Sequence, residues 1–142
     1  MSTRQVAAAF DSFREGDRKV YDVEGDLSAL EYTFVQLDTS RARCVKAWTS
    51  GMPVGVLRNA PVEDATSTAF STEAIVQVGG VSKVKAGTGG IALGDLVKLD
   101  TGGVVVKATP TDGDIIVGQC EYAAADGKIG SIRLEKMYYA AP

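Results

Sequence analysis

Short β-branched runs closed by glycine or aspartate fill the second half of this chain, and they constrain its fold more than any other feature. Gly94-Asp95-Leu96-Val97-Lys98-Leu99-Asp100 is followed by Gly102-Gly103-Val104-Val105-Val106-Lys107-Ala108. Ile115-Ile116-Val117-Gly118-Gln119 comes next, then an Ala-rich turn and Ile129-Gly130-Ser131-Ile132-Arg133-Leu134. Such runs are too short and too β-branched for helices, and the glycines and aspartates between them are turn formers. The pattern predicts strands joined by tight turns.

Upstream the same logic applies. Tyr32, Phe34 and Gln36 share one face of an extended run, with Thr33, Val35 and Leu37 on the other. Asp38-Thr39-Ser40 turns the chain, and Arg43–Trp48 returns as a hairpin partner, with Trp48 expected in the core. Val54–Leu57 is a short strand, and Asn59–Thr72 has the composition of a surface loop. Glu73–Val78 and Val81–Ala86 flank Gly79-Gly80, a two-residue hairpin signal because paired glycines accept positive φ. Pro53–Leu57 leading to Glu73–Val78 echoes Ile116–Cys120 leading to Ile129–Leu134, each a strand carrying Val-Gly, an excursion and a second strand. Related hairpins packed on one core make a small barrel or sandwich.

Residues 1–28 read differently. Val6, Ala9, Phe10 and Phe13 stand at helical spacing, but Gly16 ends the stripe and a polar stretch follows. This segment is expected to be an N-terminal arm ahead of a β-rich domain over residues 29–142. Phe10, Phe13, Val20 and Tyr21 are its candidate partner-facing anchors, since exposed apolar groups on such a segment need something to cover them. A short helix packed on the chain's own β core is the alternative.

The 142 residues are 45% hydrophobic, which predicts a folded single domain that buries roughly two-thirds of its unfolded surface. A net charge of −3 argues against nucleic acid as partner. The N-terminus lacks a signal-peptide core and no apolar run is long enough to span a bilayer, so a soluble chain made in a cytoplasm is expected. There is no histidine, which removes the commonest acid–base group, the commonest zinc ligand and any Ser-His or Cys-His pair.

Cys44 and Cys120 lie far apart and are expected to be reduced and buried, with a disulfide left open. Gly87-Thr88-Gly89-Gly90 lacks the lysine and helix of a phosphate loop and reads as a turn. Asp95, Asp100 and Asp112-Gly113-Asp114 lack calcium-loop spacing. No catalytic residue, metal or cofactor is expected. Lys83 and Lys85 raise a carrier or ligand-binding β module as a different class, although carriers place their lysine at a hairpin tip. An adduct on either lysine would mark it.

The stretch Pro53–Leu134 resembles the capsid decoration, or cement, proteins of tailed bacteriophages. Val54-Gly55-Val56-Leu57-Arg58-Asn59-Ala60-Pro61 is similar to that family's GVLQN-P phrase, and Ala74–Val84 to its VQVGGVSKV. Gly94–Asp100, Val117-Gly118 and Ala123-Ala124-Ala125 complete the likeness. The resemblance implies a β-tulip-like domain, usually a homotrimer, on the outer surface of the virion. There it would clamp neighbouring major capsid protein subunits of the expanded head against internal DNA pressure. Trp48 and the pair Tyr138-Tyr139 are candidate contacts between copies.

Overall fold

Side chains alternate across a strand, so two neighbouring residues can serve two different cores. The computed structural model, which describes residues 9–14, 16–63, 71–109 and 115–138 (side chains of 137 and 138 excepted), is built on that property. Its ten strands are β1 (Arg18–Val23), β2 (Phe34–Leu37), β3 (Cys44–Ala47), β4 (Gly55–Leu57), β5 (Glu73–Gln77), β6 (Val81–Lys85), β7 (Leu96–Asp100), β8 (Val104–Lys107), β9 (Ile115–Tyr122) and β10 (Ile129–Tyr138). The described residues contain no helix. The all-β expectation holds.

Strands β1-β3-β2-β4-β5 form a closed barrel, and β6-β10-β9-β7-β8 form a second sheet. The barrel closes where β1 runs antiparallel to β5 from Arg18 opposite Gln77 to Asp22 opposite Glu73. The second sheet curls until its outer strands meet at a parallel bridge, Ala86 to Val105. Strands β2 and β4 are the common wall. Phe34 and Val56 face a core with Val84, Val97, Val117 and Ile132, whereas Val35 and Leu57 face Val23, Val45 and Val76 inside the barrel. Each such side chain is buried, a contribution of about 1.5–3 kcal/mol apiece. Cys44 and Cys120 are both free and buried.

The two halves are also joined through the backbone. The Phe34 amide donates to the Gly103 carbonyl at 2.9 Å, and the Lys85 amide donates to Tyr32 at 2.9 Å. Gly103, in the β7–β8 turn, has φ of +76°, and a Cβ there would meet the Phe34 carbonyl oxygen. Only glycine allows this approach.

The hairpins β2–β3 and β7–β8 form as the sequence predicts. The internal echo is also real: β4–β5 and β9–β10 are antiparallel pairs, one in each sheet. In both, the Val-Gly glycine (Gly55, Gly118) sits where a Cβ would meet a partner-strand carbonyl oxygen, of Gln77 or Arg133.

One hairpin does not form. Strands β5 and β6 flank Gly79-Gly80, but β5 pairs with β1 and β4 while β6 pairs with β10. The glycines carry the chain from one sheet to the other. Two interactions decide it. The buried Gln77 side chain donates to the Gly79 and Val81 carbonyls, both at 2.9 Å. The Val81 amide and carbonyl are taken by Ser12, at 2.6 and 2.9 Å.

Candidate partner-docking surface

The segment read as an arm is described from residue 9, except residue 15; Val6 lies outside the described residues. It contains no helix where described, and a turn at Arg14–Asp17 precedes its strand. Phe10 donates its amide to the Ser131 hydroxyl and accepts a bond back from it, both at 2.8 Å. Asp11 accepts from the Lys83 amide at 2.9 Å and from the Arg58 guanidinium at 2.6 Å. Ser12 bridges to Val81, as above. Arg18–Val23 then enters the barrel as β1. The segment therefore ties the edge of the second sheet to the barrel.

Its backbone is anchored while two of its large side chains stay outside. Phe10 is 39% exposed and Phe13 48% exposed. Arg18 lies over the Phe13 ring, 3.6 Å from its centroid. Two residues along the same face of β1, Val20 (45% exposed) stands opposite the exposed Ile75 of β5. Phe13, Arg18, Val20 and Ile75 thus line one outward strip of the barrel wall. Tyr21 does not join it. It occupies the other face of β1, half-buried against the barrel core.

Trp48 follows the last residue of β3, half-buried, and belongs to neither core cluster. This corrects the core expectation: its indole N–H donates to the Gly51 carbonyl at 3.0 Å, so the ring folds onto its own loop. Tyr138 ends β10 opposite Ile115, and Tyr139 lies outside the described residues. Lys83 and Lys85 lie along the edge strand β6, opposite Ser131 and Ile129, not at a hairpin tip. Gly87–Gly90 is a turn closed by the Gly90 amide on the Gly87 carbonyl at 3.0 Å.

Sequence reasoning missed the Asp11–Arg58 contact and the exposure of Ile75. Asp11 stands between Phe10 and Phe13 with nothing local to mark a partner 47 residues on. Ile75 sits in an unbroken apolar run that hides which face is outward, and only pairing with β1 settles it.

No family model matches the chain, and no curated protein matches it. Among solved structures, the chain is similar to the crystal structure of the head fiber gp8.5 N base in bacteriophage phi29. The TM-score is 0.59 at 13% identity, covering 86% of this chain and 98% of that one. The likeness is one of fold. It extends over both sheets, since so large a share of each chain is matched.

Proposed function

We propose that this protein is a virion structural component that docks on the outer surface of a tailed-phage head and cements neighbouring major capsid subunits. The observation that carries the reading is the fold likeness to a phage head fiber base over most of both chains. The cement-protein phrases around Gly55, Gly79 and Gly94 point to the same class of particle. The outward strip, together with the exposed Phe10, supplies a means. Phe10, Phe13, Val20 and Ile75 are apolar groups held by a rigid barrel and a backbone-anchored segment, so docking them sacrifices little conformational entropy.

A single copy covering roughly 800 Å² of capsid per partner is an ordinary interface. Many copies bound to an expanded lattice, but not to its disassembled subunits, stabilise the shell by mass action. If the copies are trimeric, each trimer gains affinity through multivalency. A second reading follows from the neighbour being a fiber base: the domain then serves as the foot of an appendage, attached to the head without bridging its subunits.

Co-sedimentation of the purified protein with expanded heads that lack it tests the proposal. Saturable binding that raises the temperature at which the heads release DNA supports cementing. Binding without any rise supports the appendage foot. No binding to the cognate heads overturns both.

A further inference from the structure

The faces of β1 and β2 that fill the barrel continue past its end. Val23, Tyr21 and Lys19 lie on one face of β1 and pass from buried through half-buried to exposed. On β2, Val35 is buried while Leu37, on the same face, is 50% exposed. Val54 and Val78, half-buried against the barrel core, extend this floor, and Met52, 40% exposed, stands at its side. The result is an open groove of about 710 Å³ at the barrel mouth.

Lys19 and Lys136 both line the groove, and no carboxylate among the described residues does. Lys136 comes from the irregular stretch of β10, where the register with β9 shifts between Leu134 and Met137. Its ammonium turns onto the Val54 carbonyl at 2.9 Å and the Pro53 carbonyl at 3.4 Å. Those carbonyls accept hydrogen bonds but carry no countercharge. Burial, and then the charge of Lys19, hold the Lys136 ammonium below its usual range. Among the described residues neither lysine has an ion-pair partner. A chain of net charge −3 therefore keeps two uncompensated cations beside an exposed apolar floor.

We propose that this groove docks an extended acidic and apolar segment of a partner protein. Its aliphatic or aromatic side chains cover Tyr21, Leu37 and Met52, and its carboxylates meet Lys19 and Lys136. An anion arriving there relieves the repulsion between the lysines, and the floor removes apolar surface from water. A bare inorganic anion leaves that floor uncovered. The proposal is independent of the capsid reading, because it concerns the chemistry of the partner segment and not the particle it belongs to.

The test is NMR titration of the full-length ¹⁵N-labelled protein with two capped six-residue peptides, one alternating aspartate and leucine, the other lysine and leucine. The acidic peptide is expected to bind saturably, with amide shifts clustered at Lys19, Tyr21, Leu37, Met52 and Lys136. Lys19→Ala and Lys136→Gln should each weaken it by about tenfold. Lys136→Gln keeps a donor for the Val54 carbonyl, which separates lost charge from a disturbed fold. Equal binding of both peptides, shifts centred elsewhere, or no binding of the acidic peptide at low salt overturns the proposal. So does binding to phosphatidylserine vesicles without binding to the peptide.

Discussion

Asp11 and Arg58 are 47 residues apart in sequence and 2.6 Å apart in the fold. The Arg58 side chain is 9% exposed and that of Asp11 17%. Arg58 also lies over the Tyr32 ring, 4.8 Å from its centroid, and its Nε is buried without a partner among the described residues. Removing the carboxylate leaves a cation in a largely dry site with no countercharge. Asp11→Ala should therefore lower the unfolding free energy by about 2–4 kcal/mol in urea titration. Asp11→Asn, which keeps an acceptor for the Lys83 amide, should lose less. A change within about 0.5 kcal/mol for Asp11→Ala would mean the pair is merely a surface contact.

Gly103 and Gly127 share a φ of +76° but differ in surroundings: a Cβ at Gly103 meets the Phe34 carbonyl, and one at Gly127 meets nothing. Gly127→Ala should cost about 1–2 kcal/mol from backbone strain alone. Gly103→Ala should cost at least about 2 kcal/mol more, because the seam between barrel and second sheet must open. Equal urea midpoints for the two variants would show that the Phe34–Gly103 approach is not tight.

These contacts mark what was legible in the sequence. Hairpins such as Phe34–Ala47 and Leu96–Lys107 were, because apolar alternation and the turn between the strands are both local. The crossover at Gly79-Gly80 was not. Paired glycines permit a hairpin, yet the partners of β5 and β6 lie far away, and Gln77 and Ser12 hold the local hydrogen bonds. Strand β1 was missed for a similar reason. Arg18–Val23 mixes charge with apolar residues, and its register depends on β5, more than fifty residues on. At the surface, Phe10, Phe13 and Val20 were readable as candidates by type. Lys136 was not, because only the irregular pairing of β10 aims its ammonium at the groove.

Burial pushes the Cys44 and Cys120 thiols above their ordinary range; for Cys44 this outweighs the Arg41 guanidinium, 3.1 Å from its sulfur. Both should react slowly with a thiol reagent at neutral pH until the chain unfolds. Their contribution to stability is present below the unfolded thiol's pKa and is lost as pH rises above it, because the unfolded chain ionises first. At the acid end, the Ser28 and Ser40 hydroxyls and amides hold Asp26 and Asp38 below their usual range. That stabilisation is present above the unfolded carboxylate range and fades as pH falls through it. Rapid labelling of either cysteine in the native state would contradict the first statement, and a melting temperature that climbs steadily with alkalinity the second.

Phe10 and Phe13 are each more than one-third exposed. Truncating both to alanine should change the unfolding free energy by no more than about 1 kcal/mol, with part of the loss coming from the Arg18–Phe13 contact. Occupancy on expanded heads should fall sharply in the same variant, read by quantitative gel densitometry of sedimented particles. Unchanged occupancy would remove these rings from the docking surface.

The proposed function requires the protein to bridge capsid subunits from outside. A cryo-EM reconstruction of expanded heads saturated with it tests this most directly. Added density is expected on the outer surface at junctions between neighbouring subunits, with Phe10 and the strip of Phe13, Val20 and Ile75 against the shell. Empty junctions on saturated heads, or density standing on one subunit alone, would contradict it.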